Sequence, residues 1–216
     1  MTDHNVSTRF TLKLATSADT PAVDELRLLA YSGATYFKLN DVHQLFVGTD
    51  PVDSFLLCAW EGTSLVATLR LATVRTLEGA EDLLGLKAPR PVDLPAAIFS
   101  RGAVHPSQQG QGWMPYLLTE GILLAQQLGY RCALGAQASG TPHQGAMVRA
   151  GWQVQDVGRM THAALDMKST AQYLWLDNVD FPTAIEHGMT AAQNLTRQCD
   201  TRALRLPVGE QFALAV

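Results

Sequence analysis

From Phe10 to Leu14 apolar and polar side chains alternate (Phe-Thr-Leu-Lys-Leu), the period-two pattern of a half-buried strand. The pattern then changes. Thr16-Ser-Ala-Asp19 places an acid three residues after a hydroxyl and Pro21 suits a first turn, so a helix is predicted with Val23, Leu26 and Ala30 on one face. Two apolar runs, Ser54–Trp60 and Ser64–Thr73, are joined through Glu61-Gly62-Thr63 and read as a β-hairpin. Between Arg75 and Pro95 prolines break any strand pattern; the segment reads as an excursion with a short helix at Glu81–Leu84, a candidate lid. Ala97–Val104 is the next strand, and Gly102 within it marks a bulge or a close backbone approach. After a glycine-bearing loop, a helix runs to Leu128 with Leu117, Leu118, Gly121, Leu124, Ala125 and Leu128 inward and Gly129 as its stop. Arg131–Ala136 is a buried strand, Thr141–Ala150 a short helix stopped at Gly151, and Trp152–Val157 a strand. Tyr173–Leu176 is expected to be the last strand, and Asp180-Phe-Pro182 opens a helix to about Leu195. Tyr31 to Val52 shows no regular period. Strands and helices interleave without repeat or linker. The expectation is one α/β domain over residues 1–216, with 177–216 as a helical C-terminal appendage.

Composition narrows the function classes. Hydrophobic residues are 47% of the 216, enough for a real core, which excludes a charge-driven disordered chain. Sixteen Lys and Arg against 20 Asp and Glu leave a net charge of -4, so no global basic field invites nucleic acid or an anionic membrane. No apolar run reaches the length of a membrane helix, and the first residues carry no signal-peptide pattern. Cys58, Cys132 and Cys199 are odd in number and share no metal-ligand spacing; no metal is expected, and a reduced cytoplasmic setting is the simplest reading. Cys132, in a buried strand, reads as core packing.

The chemistry concentrates where the strand Ala97–Val104 passes through His105-Pro106-Ser107-Gln108 into Gln109-Gly110-Gln111-Gly112-Trp113-Met114 and a helix. Glycines let the backbone approach a ligand, the first amides of the helix lack intrahelical acceptors, and the helix dipole is positive there. A phosphate or pyrophosphate is the natural ligand. Glycines alone also fit an ordinary strand-to-helix turn.

In context this loop resembles the acyl-CoA pyrophosphate loop of the GNAT superfamily of N-acetyltransferases. Val104-His105-Pro106 matches the strand end, Gln109 the first loop position, Gly112 the glycine position, and Gly151-Trp152 the family's glycine–aromatic pair after a short helix. The likeness runs from about Phe10 to Leu176. It implies a mixed, mainly antiparallel sheet of about seven strands with helices on both faces, and a splayed cleft between the fourth and fifth strands, Ala97–Val104 and Arg131–Ala136. It also implies acetyl-CoA or another acyl-CoA as co-substrate, held by Ala103, Val104, Gln109, Gly110, Gln111, Gly112, Trp113, Met114 and Ser139. A backbone amide near Gly102–Val104 would polarise the thioester carbonyl for attack by an amine. Two departures stand out. Met114 occupies a position the family fills with Gly or Ala, which would crowd a phosphate, and Met147 replaces the Tyr that protonates the departing thiolate. The candidate catalytic residues are Ser100 and Arg101 on the strand and His143 at the short helix. Arg101 is either an ion-pair partner of Asp50 or Asp53 or a substrate anchor, and His143 either a base or a surface residue or cap. His105 reads as a loop residue.

A finer likeness points to the acyl-homoserine-lactone synthase and N-acyl amino acid synthase branch: Arg27 with Tyr31, Asp50-Pro-Val-Asp53, Arg70-Leu71, and Ser100-Arg101. That branch implies an acyl carrier protein as possible donor and an amino acid or other small amine as acceptor. Its strand Glu is Ile98 here, which counts against lactone formation. An acyl chain would need an apolar tunnel, for which Phe55, Leu57, Phe99 and Trp113 are candidates beside their plain reading as core. A degenerate fold that binds acyl-CoA without turnover is the non-enzymatic alternative.

Overall fold

The computed structural model describes residues 8–33, 43, 47–48, 50–51, 53–139, 144–158 and 170–204. Its centre is an eight-stranded sheet in the order β6-β7-β5-β4-β3-β2-β1-β8. β1 (Phe10–Leu14), β2 (Ser54–Glu61), β3 (Ser64–Val74) and β4 (Ala96–Val104) form an antiparallel meander, with Gly62 in a positive-φ conformation turning the β2–β3 hairpin. β5 (Cys132–Ala138) runs parallel to β4, and β7 (Ala171–Asp177) pairs antiparallel with both β5 and the edge strand β6 (Gln153–Gly158). The expected final strand is not final: β8 (Cys199–Asp200) returns to pair in parallel with β1. No periodicity announces a two-residue strand.

The helices divide between the two faces because alternate strand residues are apolar on both. Among the described residues, α1 (Thr20–Ser32) and α2 (Leu77–Leu84) lie on one side. α1 is preceded by a 3-10 turn, Ser17–Asp19, which carries the capping box: the Thr16 amide donates to the Asp19 carboxylate at 2.8 Å. It sets Val23 and Leu26 on Cys58 and Ala103. α2 and the chain after it press Ala80, Leu84 and Leu86 onto Ile98, Leu134 and Tyr173. The 75–95 excursion is therefore a cover for the sheet, not a lid, since its apolar side chains are spent on the core. On the opposite face α3 (Trp113–Gln127) buries Trp113, Tyr116 and Leu117. Beside it lie α4 (Gln144–Arg149), α5 (Phe181–Ala191), which adds Phe181 and Ala184 to that core, and α6 (Gln193–Gln198), which adds Leu195. None of the described helices is long and apolar enough to cross a membrane.

Two backbone irregularities shape the centre. β4 and β5 pair only from Ala96–Phe99 against Cys132–Gly135; beyond that β4 stays with β3 and β5 with β7, so the sheet opens into a wedge. In the same stretch the β3–β4 register slips: Thr68 faces Ala103 and Arg70 faces Ser100, so Arg101 and Gly102 together face Leu69 alone, one extra residue on β4. This bulge inverts the facing. Phe99 belongs to the α3 side, whereas Ala103, four residues later, packs under α1.

Candidate active site

The bulge appears where glycine was expected to mark it, but the left-handed residue is Arg101, at φ 54°. Gly102 is small for a different reason. A methyl group there would lie 2.8 Å from both Sδ and Cε of Met114, which roofs the bulge from the first turn of α3. Met114 is thus directed at β4, not at the loop space that the sequence comparison had it crowding. From the other face Tyr31 donates its hydroxyl to the Gly102 carbonyl at 2.6 Å. The bulge is gripped on both sides.

The loop that follows begins with a 3-10 turn, Pro106–Gln108, capped by His105, whose Nδ1 accepts from the Ser107 amide at 3.3 Å. Gly110 and Gly112 both take positive φ, 77° and 90°, a conformation that side chains disfavour. The first helical bond of α3 runs from the Tyr116 amide to the Gly112 carbonyl at 3.1 Å. The amides of Gly110, Gln111, Gly112, Trp113 and Met114 find no acceptor among the described residues. Five donors at the positive end of a fifteen-residue helix suit an anion. Gln109, Gly110 and Gln111 are exposed. Two neighbours differ from the sequence picture. The Trp113 side chain is 1% exposed, stacked edge-on against Phe10 at 4.8 Å, so only its amide reaches the loop. A substituent on Gly112 would meet the Ala191 carbonyl at the end of α5, 3.8 Å away, not open loop space.

Behind the wedge lies an ionic cluster centred on Asp50. Arg27 Nη1 donates to its Oδ2 at 2.6 Å, and Arg101 Nη1 to its Oδ1 at 3.0 Å, with Arg70 Nη1 at 3.5 Å from the same oxygen. Arg70 Nε donates to Ser100 Oγ at 2.9 Å. Burial, together with neighbouring Arg101, pulls the Arg70 guanidinium down to about 10. Burial also lowers Arg101. Of the two aspartates anticipated for Arg101, Asp50 is the partner. Ser139, at the far end of β5, donates to Asp156 at 2.9 Å; Gln172 donates to the same carboxylate and accepts from Gln137, a polar ladder across β5, β7 and β6. His143 lies outside the described residues. Ala103 is buried under α1, so only its backbone faces the wedge, while Val104 is half-buried against the α3 core.

A cavity of about 420 Å³ lies between α3, α4 and α5. Met114, Leu118 and Ile122 line it from α3, Met147 and Trp152 from α4 and the residues after it, and Ala184 and Gly188 from α5. Of the two readings of Leu57 and Trp113, core or tunnel wall, core holds: they are 0% and 1% exposed, and the cavity lies elsewhere. Sequence reasoning did not find the α5 wall. Its signal was present as Ala184-x-x-x-Gly188, two small residues on one helix face.

No family model matches the sequence, and no curated protein matches it. Solved structures do. A CoA-dependent acyl-homoserine lactone synthase, BjaI, superposes with a TM-score of 0.61 at 15% identity, over 92% of this chain and 95% of that one. A second such synthase, MesI, gives 0.54 at 17% identity over 86% and 95%. The ribosomal-protein-S18-alanine N-acetyltransferase from Escherichia coli gives 0.54 at 16% identity over 78% and 93%. The chain has the fold these proteins share.

Proposed function

We propose that this chain is an N-acyltransferase of the GNAT type, moving an acyl group from acyl-CoA to a small amine. The observation that carries the reading is the row of five free amides, Gly110 to Met114, opening the helix that follows the splayed strand. Such a row binds the donor's pyrophosphate, and the gap between β4 and β5 admits an extended arm that takes up unused strand hydrogen bonds, as an added strand does. With the thioester at the bulge, the amine's lone pair attacks the carbonyl carbon and the carbonyl oxygen becomes an oxyanion, held by a backbone amide of β4. The intermediate collapses with rupture of the C–S bond. The nitrogen releases a proton, and the thiolate takes one up. Met147, at the cavity, supplies no proton. A thiolate whose conjugate acid has a pKa of about 8.5 leaves without one. Positioning of the two reactants then carries most of the rate.

Coenzyme A is favoured over a carrier protein as donor because the two lactone synthases sharing this fold are named as CoA-dependent. Lactone formation is disfavoured: Ile98, where that branch has a Glu, is wholly buried under α2. The Asp50 cluster beside the wedge suits an acceptor bearing a carboxylate, such as an amino acid.

The test is direct. Ligand that binds only the folded state raises its melting temperature with concentration. Acetyl-CoA and free CoA should raise it, and pantetheine, lacking the pyrophosphate, should do so less. Gln111→Glu puts a carboxylate on the exposed loop without backbone strain and should weaken CoA about two- to fivefold, the scale of a charge at a helix N-terminus. Unchanged affinity removes the loop from the donor site. Product formation against a panel of amines separates an enzyme from a binding protein.

A further inference from the structure

We infer that Gln137 of β5 holds the attacking amine: its side-chain oxygen, aimed into the wedge by Gln172 and Asp156, accepts an N–H of the acceptor as the new bond forms. The inference rests on the acyltransferase reading and adds the residue that meets the reacting nitrogen. Polarity is the first argument. Gln137 stands directly opposite Gln172 on β7, and Gln172 opposite Asp156 on β6, one row across three strands. A carboxylate only accepts, whereas an amide donates at one end and accepts at the other. Asp156 Oδ1 takes Gln172 Nε2 at 3.0 Å and Ser139 Oγ at 2.9 Å, and Thr170 Oγ1 in turn donates to Ser139 Oγ at 2.8 Å. Gln172 is left with its oxygen toward β5, where Gln137 Nε2 meets it at 3.0 Å. With Gln172 only 4% exposed, an unpaired end of its amide would be costly. The carboxylate therefore sets the sense of both amides. Nitrogen and oxygen sit on opposite branches of a planar amide, so Gln137 Oε1 is turned away from β7. It meets no donor among the described residues.

Position is the second argument. The pairing of β4 with β5 ends at Phe99 and Gly135. Two residues further along each strand, on opposite walls of the wedge, stand Arg101, where the bulge begins, and Gln137. With the thioester at the bulge, the half-buried Gln137 lies at its level. Chemistry is the third. The reacting end of a thioester has no N–H to give, and the amine has. As the lone pair closes on the carbonyl carbon the nitrogen gains positive charge, so its N–H bond to a fixed carbonyl oxygen strengthens toward the transition state. Gln137 takes no proton. The C–N bond forms, the C–S bond breaks, and the proton that nitrogen releases leaves afterwards. Gln172 and Asp156 touch no substrate and act as positioning residues.

The experiment measures kcat and KM of the full chain with acetyl-CoA and the amine of the panel that the parent acylates fastest. Gln137→Leu should lower kcat/KM for the amine about two- to tenfold, the worth of one neutral hydrogen bond, while KM for acetyl-CoA stays as in the parent. Asp156→Asn, at the exposed end of the row, lets both amides turn over and should lose a comparable factor, which keeps the question answerable should Gln137→Leu not fold. Combining Gln137→Glu with Asp156→Asn reverses the row, with the acceptor-only group now on β5, and should recover most of the parent's kcat/KM. Circular dichroism checks that each variant folds. Unchanged kcat/KM in Gln137→Leu and Asp156→Asn overturns the inference. A raised KM for acetyl-CoA overturns it too, since the oxygen would then meet the donor's arm, and so does a double variant that recovers nothing. If the parent acylates no amine, the acyltransferase reading itself falls. A parent that acylates amines no better than Gln137→Leu sinks only the present inference.

Discussion

Asp50 accepts from guanidinium groups of α1 and β4 and lies within ion-pair range of a third on β3, so it ties three elements at the point where the sheet opens. Its side chain is only 19% exposed, and the groups around it less. Removing one partner of a buried pair leaves a charge poorly solvated. Asp50→Asn should therefore destabilise the fold by about 3–5 kcal/mol, read as a lowered urea midpoint. Arg101 is a finer probe, because it combines this ion pair with φ 54°. A side chain in the left-handed region costs about 1–2 kcal/mol that glycine avoids. Both Arg101→Ala and Arg101→Gly lose the ion pair, but the glycine variant should be the more stable by about 1 kcal/mol in urea unfolding. The reverse order would mean that the bulge does not hold this residue left-handed. If either variant folds and its KM for a carboxylated acceptor rises with kcat preserved, the cluster anchors substrate.

Among the elements, the pairing of α3 with α5 decides the shape of the cavity. Gly188 lies so close to Thr119 that a methyl group would come within 1.8 Å of its Oγ1, and Ala184, one turn earlier, is buried on the same face. Gly188→Ala should overpack this seam and cost about 1–3 kcal/mol. Adding Thr119→Ala removes the offending oxygen and should restore most of the loss in a thermal melt. No recovery would mean that the seam is held elsewhere. The same elements show how much was legible beforehand. The β2–β3 hairpin, the capping box of the turn before α1 and the long helix after the glycine loop are readable because each is specified by local chemistry: a two-residue turn, a reciprocal cap, a 3.6-residue period. The excursion holding α2 is a candidate lid by sequence and a sheet cover in the structure, since its apolar residues do not declare which surface they cover.

At the scale of the whole molecule, burial governs the thiols. It pushes Cys132 up to about 12 and Cys58 and Cys199 up to about 11, from an ordinary 9.0. All three stay protonated at neutral pH in the folded protein and are unreactive as nucleophiles. Raised values favour the neutral thiol in the native state. The stability they contribute is intact below pH 9.0 and is lost as pH climbs toward 11 and 12, because the unfolded chain ionises first. Denaturant midpoints should fall across that window, and substitution of Cys132 by Ser or Ala should lessen the fall. A thiol reagent at pH 8 should modify the native protein slowly and the denatured protein at all three sites.

The family resemblance, not local pattern, pointed to a parting between the fourth and fifth strands; local pattern alone determined the strand and helix order from Phe10 to Leu176 and a glycine loop between a strand and a helix. These follow from periodicity, caps and backbone freedom, which act over a few residues. Tertiary structure decided the rest. It set Arg101 in the left-handed conformation at the bulge and laid Met114, twelve positions beyond Gly102 in the chain, over the glycine. It chose Asp50 over Asp53 for Arg101, added β8 to the edge of the sheet, and built a cavity against α5 where the sequence offered only two small residues. Each depends on side chains far apart in the chain competing for one volume, and such competition is settled by packing in three dimensions, not by any pattern along one.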